Sequence, residues 1–91
     1  LNDPFVIQCA EALAARVCAA QSETAGRIAL AFTLALGRAP GADEARWCHS
    51  LAEREGVRLL TSGRSLQSSR EGALTVVCHT LINTSEFLSI P

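Results

Sequence analysis

Apolar residues return along this chain at helical spacing, and four stretches carry the pattern. In the first, Phe5, Cys9, Leu13 and Val17, joined by Val6, recur at the three- and four-residue steps that line one helical face. Glu11 and Arg16 fall outside that stripe. Asn2 or Asp3 is placed to cap the start, and Pro4 suits the first helical position, where its missing N–H costs nothing. This helix is predicted to run to about Ala20. In the second stretch Ser22 is the expected cap, and Glu23 adds negative charge to the first turn. Ile28, Leu30, Phe32, Leu34 and Leu36, filled in with alanines, leave little polar surface, which predicts a helix in the middle of a bundle. Gly37 supplies the left-handed position that commonly ends a helix, and Pro40 prevents continuation.

The third helix is predicted to start near Gly41 or Ala42, with Asp43 and Glu44 in its first turn. Trp47, Cys48 and Leu51 form its expected inward stripe, while Arg46, Glu53 and Arg54 mark a solvated side. Gly56 weakens this helix by about 1 kcal/mol relative to alanine, so it ends there or continues to Leu60. Residues 61–69 are rich in serine and glycine without an apolar period, the pattern of a flexible loop. A fourth helix is predicted from near Ser69 to about Ile82, its face formed by Leu74, Val77, Cys78 and Leu81. Asn83-Thr84-Ser85 is turn chemistry. Phe87, Leu88 and Ile90 form a short apolar tail expected to fold back onto the rest. The expected architecture is all-α: one domain over residues 1–91, a small bundle of four main helices in up-down order with a C-terminal tail.

Composition narrows the functions open to such a bundle. Apolar residues make up 48% of the chain and aromatic residues only 4%, so alanine supplies much of the core and lets helices approach closely. The net charge is −1, and the cations are all arginine, spread from Arg16 to Arg70. A nucleic-acid binder carries a basic stripe, and a membrane-surface binder a basic amphipathic helix; neither pattern is present. Nor is any apolar run long enough to cross a bilayer, which takes about 20 residues. No nucleic-acid partner and no membrane insertion are therefore expected. The chain has no methionine, so Leu1 reads as an internal position of a longer protein.

The candidate chemistry is concentrated in Cys9, Cys18, Cys48 and Cys78 and in the repeated pairs Cys48-His49 and Cys78-His79. Four cysteines allow three disulfide pairings, and the sequence does not choose between them. Each cysteine falls in an apolar helical pattern, which favours buried thiols over a disulfide or a metal site. Two cysteines and two histidines could hold zinc, but neighbours on a helix diverge by roughly 100°, so an inward cysteine turns its histidine away. Covalent haem attachment needs Cys-x-x-Cys-His, and both histidines lack the first cysteine. A cysteine–histidine hydrolase would pair Cys48 with His79 or Cys78 with His49, yet no oxyanion loop accompanies them. Glu53 with Glu55, and Asp43 with Glu44, sit too close in sequence to face each other on a helix. A helix-turn-helix around Gly37 would place acids where a recognition helix meets DNA. No metal, cofactor or catalytic residue is assigned. The structural candidates are Arg38, Glu86, Asn83 and Trp47. Arg38 is expected to pair with Glu86, or to cap helix carbonyls, tying the second helix to the closing segment.

Three pieces of the chain form a known order. Leu1-Asn2-Asp3-Pro4-Phe5-Val6 enters an alanine-rich helix; Ala35-Leu36-Gly37-Arg38-Ala39-Pro40 precedes an acidic helix start; Cys78-His79-Thr80-Leu81-Ile82-Asn83-Thr84-Ser85-Glu86-Phe87-Leu88 closes. Together they resemble the end of the planctomycete-specific domain one family, a domain of unknown function that closes large planctomycetal cytochrome-c-type proteins. Gly41 stands where that family usually has a polar cap such as threonine. A smaller similarity, in Leu-Gly-Arg-Ala-Pro and Ser-Glu-Phe, links the chain to helical repeats of bacterial surface and linker proteins. The resemblance implies an exported parent and carries over no catalytic residue. The expected role is a non-catalytic accessory or interaction module whose partners are upstream domains of the same chain or another protein. The alternative is part of a catalytic or redox unit completed by upstream domains.

Overall fold

The structure, a computed structural model, describes residues 3–84. Four helices run as α1 Pro4–Ala20, α2 Thr24–Leu36, α3 Ala42–Thr61 and α4 Leu66–Ile82. Local chemistry explains most of their ends. Asp3 caps α1, its Oδ1 accepting from Phe5 N at 2.7 Å, with Pro4 beside it in the first turn. Gly37 ends α2 in the left-handed region at φ 73°. Gly41 is the N-cap of α3, and its N–H donates to Glu44 Oε1 at 2.8 Å. The N-cap of α2 is Glu23, one residue beyond the expected Ser22. Ser22 stays in the turn, where its carbonyl accepts from Arg70 Nη2 at 2.8 Å.

Of the two ends the sequence allows for α3 the later one holds, and the start of α4 differs more. Gly56 does not stop α3, which runs on to Thr61 and ends at Ser62 and Gly63. Gly63 has φ 106°, a backbone that favours glycine. The stretch 61–69, expected as a flexible loop, supplies only residues 62–65 as a link. Ser65 caps α4, its Oγ accepting from Ser68 N at 3.1 Å. Arg64 reaches forward to Ser68 Oγ at 2.9 Å and Ser68 O at 3.1 Å. An exposed first turn held by capping bonds shows no apolar period, which is why its sequence reads as a loop.

The core is arranged around α4, not around α2 as its apolar composition suggests. α4 packs most extensively on α1 and α3 and also meets α2, while α1 and α3 do not approach each other. Ser69, Ala73, Leu74, Val77, Cys78, Leu81 and Ile82 are all buried, covering more than half of the circumference of α4 at roughly 100° per residue. α2 leaves Leu34 exposed and Leu30 and Leu36 half-buried. Its deep contribution is Ile28, Ala31 and Phe32.

The buried stripe of α1 is Ala10, Ala14 and Val17, with Val6, Cys9 and Leu13 packed at its margins. Phe5, expected inward, is 71% exposed. The expected stripe is thus rotated: the small alanines face α4 because they let two backbones come close, and the larger side chains flank them. α3 behaves similarly. Cys48, Ala52 and Leu59 are buried, whereas Trp47 stands at the margin, 52% exposed, and not in the inward stripe.

Close approach recurs where α4 passes the end of α3. A Cβ on Gly72 would lie 2.7 Å from Leu59 Cδ1 and 3.0 Å from the Arg64 guanidinium. Gly72→Ala is therefore expected to destabilise the fold by about 1–3 kcal/mol, the usual range for overpacking. A thermal midpoint equal to or above that of the wild type would show that Leu59 moves aside without cost.

Candidate functional site

All four cysteines are free thiols. Cys48 and Cys78 are buried, and burial pushes both thiols up, Cys78 to about 12. A thiol in that state is a core residue and a poor nucleophile. His49 lies on the outside of α3, its Nδ1 2.7 Å from Glu53 Oε1. His79 lies on the side of α4 that faces α1, beside Ile7, Ala10 and Val76, with Nε2 3.4 Å from Asn83 Nδ2. Each histidine thus turns away from its cysteine neighbour toward a different flank of the bundle. Among the described residues no three His, Cys, Asp or Glu side chains gather as a metal site would require. No described helix is long and apolar enough to cross a membrane.

Of the described structural candidates, Arg38 stands at the α2–α3 junction, Trp47 on α3 and Asn83 at the end of α4. Arg38 grips Glu44 with both terminal nitrogens, Nη1 to Oε1 at 2.8 Å and Nη2 to Oε2 at 2.9 Å. Its guanidinium also lies over the Phe32 ring, 5.6 Å from the centroid. Glu44 is the carboxylate that Arg38 meets among the described residues; the expected partner Glu86 lies outside them. Asn83 is the C-cap of α4, its N–H donating to His79 O at 3.1 Å. Trp47 lines a shallow apolar hollow with Phe32, Leu36 and Leu81.

Arg27 went unnoticed in the sequence. It is only 9% exposed, and it donates from Nε to Gln21 O at 2.6 Å and from Nη2 to Cys18 O at 3.3 Å. A cation thus closes the C-terminus of α1, where the unpaired carbonyls and the helix dipole favour positive charge. The signal was a lone arginine inside an otherwise apolar helix, directly after a helix end.

A second feature had no sequence signal assigned to it. Between α3 and α4 runs a groove of about 250 Å³. Ala52, Gly56, Ala73 and Leu74 line it, and Val57, Leu60 and Leu66 stand along it at 65%, 46% and 63% exposure. Thr24, Glu53 and Arg70 add polar groups. Ser69 also lines it, only 1% exposed, and its hydroxyl has no hydrogen-bond partner among the described residues. Three large apolar side chains exposed along one hollow form a contiguous patch, the kind of surface that marks an interaction site. In comparisons with protein families, with curated proteins and with solved structures, nothing matches the chain.

Two outcomes follow from this geometry. The Arg38 side chain, and after it the Gly41 N–H, hold Glu44 down from an ordinary 4.5 to about 2. A carboxylate depressed in the folded state contributes stability above its unfolded value and loses it as the pH falls. The wild-type thermal midpoint should therefore drop between about pH 4.5 and about pH 2 more steeply than that of Glu44→Gln; parallel curves would mean the junction is not coupled to folding. Ser69→Ala removes a buried hydroxyl with no described partner, so stability should be unchanged or higher by up to about 1 kcal/mol. A clear loss in denaturant unfolding would reveal a bond that the hydroxyl makes.

Proposed function

We propose that this chain is a non-catalytic helical accessory module, working through protein contact within a larger exported protein of planctomycete type. The observation that carries the reading is the apolar α3–α4 groove flanked by Val57, Leu60 and Leu66. The state of the titratable groups supports it. The two deepest thiols are raised by burial, and the histidines sit apart on separate flanks. The ordered resemblance of the opening, junction and closing segments supports the parentage.

The test is removal of the domain from its parent. Without residues 1–91 the remaining protein should keep its turnover and lose an assembly or docking step, read by co-purification and size. A parent that loses turnover when the domain is removed, and regains it when the domain is added back, would instead make the domain part of a catalytic unit.

A further inference from the structure

The floor of the α3–α4 groove has space that no described residue uses. A Cβ placed on Gly56 meets no described atom within 4 Å. Gly72 is the contrast: there Leu59 and Arg64 occupy the space, and packing demands glycine. At Gly56 the chain carries the helix-weakening residue in mid-helix with no contact among the described residues that requires it.

The size of the hollow limits what can fill it. Small-molecule sites usually enclose about 300–1,000 Å³; this open groove holds about 250 Å³. That matches one or two apolar side chains better than a metabolite. Suitable side chains stand on the same surface, since Val57, Leu60 and Leu66 protrude beside the hollow. Projections and a hollow on one patch are what an isologous contact needs, because a two-fold axis brings the same patch of two copies together. The charges agree with it. Glu53 on α3 and Arg70 on α4 line the groove from opposite helices. Within one copy Glu53 also meets His49 and Arg70 also donates to Ser22 O; across a two-fold axis the acid of one copy can in addition meet the base of the other. With a net charge of −1, repulsion between copies is small.

We propose that the α3–α4 groove is a self-association face, with Leu60 and Leu66 of each copy lying over Gly56 of the other. Three exposed side chains fall well short of the roughly 800 Å² per partner of a standard interface, so the dimer belongs to the weak, transient class. The inference rests on the reading of the chain as an interaction module and names a second copy as its partner.

Sedimentation velocity of the 91-residue chain, run from about 10 μM to about 1 mM, tests it. The expected result is a concentration-dependent shift from monomer to dimer. Gly56→Ala should raise the thermal midpoint measured at the dilute end, yet weaken the dimer by about tenfold. Opposite signs in the two readouts separate a filled groove from a damaged fold. Leu66→Asp, at an exposed position, should keep the helical circular dichroism and remain monomeric throughout. A wild-type chain that stays monomeric over the whole range overturns self-association, as does a Gly56→Ala chain that dimerises as tightly as the wild type. Either result leaves the interaction-module reading to the domain-removal test, whose outcome does not depend on self-association.

Discussion

The fold depends on burying one helix on several sides at once. α4 presents apolar residues around more than half of its circumference, so no single neighbour can cover it. α1, α2 and α3 are placed by that need, and α1 and α3 have no close contact of their own to hold them. Small residues make the coverage tight. Ala10 and Ala14 on α1, Ala52 on α3 and Ala73 on α4 bring backbones close. Phe32, Ile28 and Leu74 fill the wider central space. A core short of aromatic residues is compatible with this plan, since volume is gained by close approach of helices more than by large side chains.

Arginine does the linking that a larger core would make unnecessary. Arg27 closes the carbonyl end of α1 from within α2, and Arg38 joins the end of α2 to the first turn of α3 through Glu44. Arg70 reaches back from α4 to the turn before α2. Arg27 and Arg38 use the planar fork of the guanidinium to meet more than one acceptor or surface, which lysine cannot reproduce. The arginines that seemed evenly scattered along the chain thus include three that work at helix junctions. Arg46 with Asp43, and Arg58 with Glu55, are exposed pairs within one helix and contribute little.

The legible parts of the structure were those decided by neighbours in sequence. Asp3, Gly37 and Gly41 act over a few residues, so the starts and stops they control could be read directly. The four helices and the all-α class followed from periodicity. Choices decided across the bundle were not legible. The spacing of the larger apolar side chains put Phe5 and Trp47 on the inward stripes, but close approach selected Ala10, Ala14 and Ala52. α2 looked more apolar than α4, yet the helix with partners on several sides is the buried one. The groove was hidden for a related reason. Val57 and Leu60 lie well around α3 from the Cys48–Ala52–Leu59 stripe, a departure visible in the spacing, but only the placement of Leu66 turns them into a patch.

The central position of α4 also bears on how the chain is made. Synthesis delivers α1, α2 and α3 before the helix on which they converge. Until then α1 and α3 have almost nothing to share, and α2 has only part of its surface covered. The contacts between α1 and α4 join residues separated by most of the described chain, so forming them requires closing a long loop. The packing that buries α4 is therefore complete only after the last of the four helices has been made; before that, α1, α2 and α3 have only the α1–α2 and α2–α3 contacts to share. During that interval the apolar faces of α1 and α2 are open to other proteins, and a chaperone that holds such faces would find its substrate there.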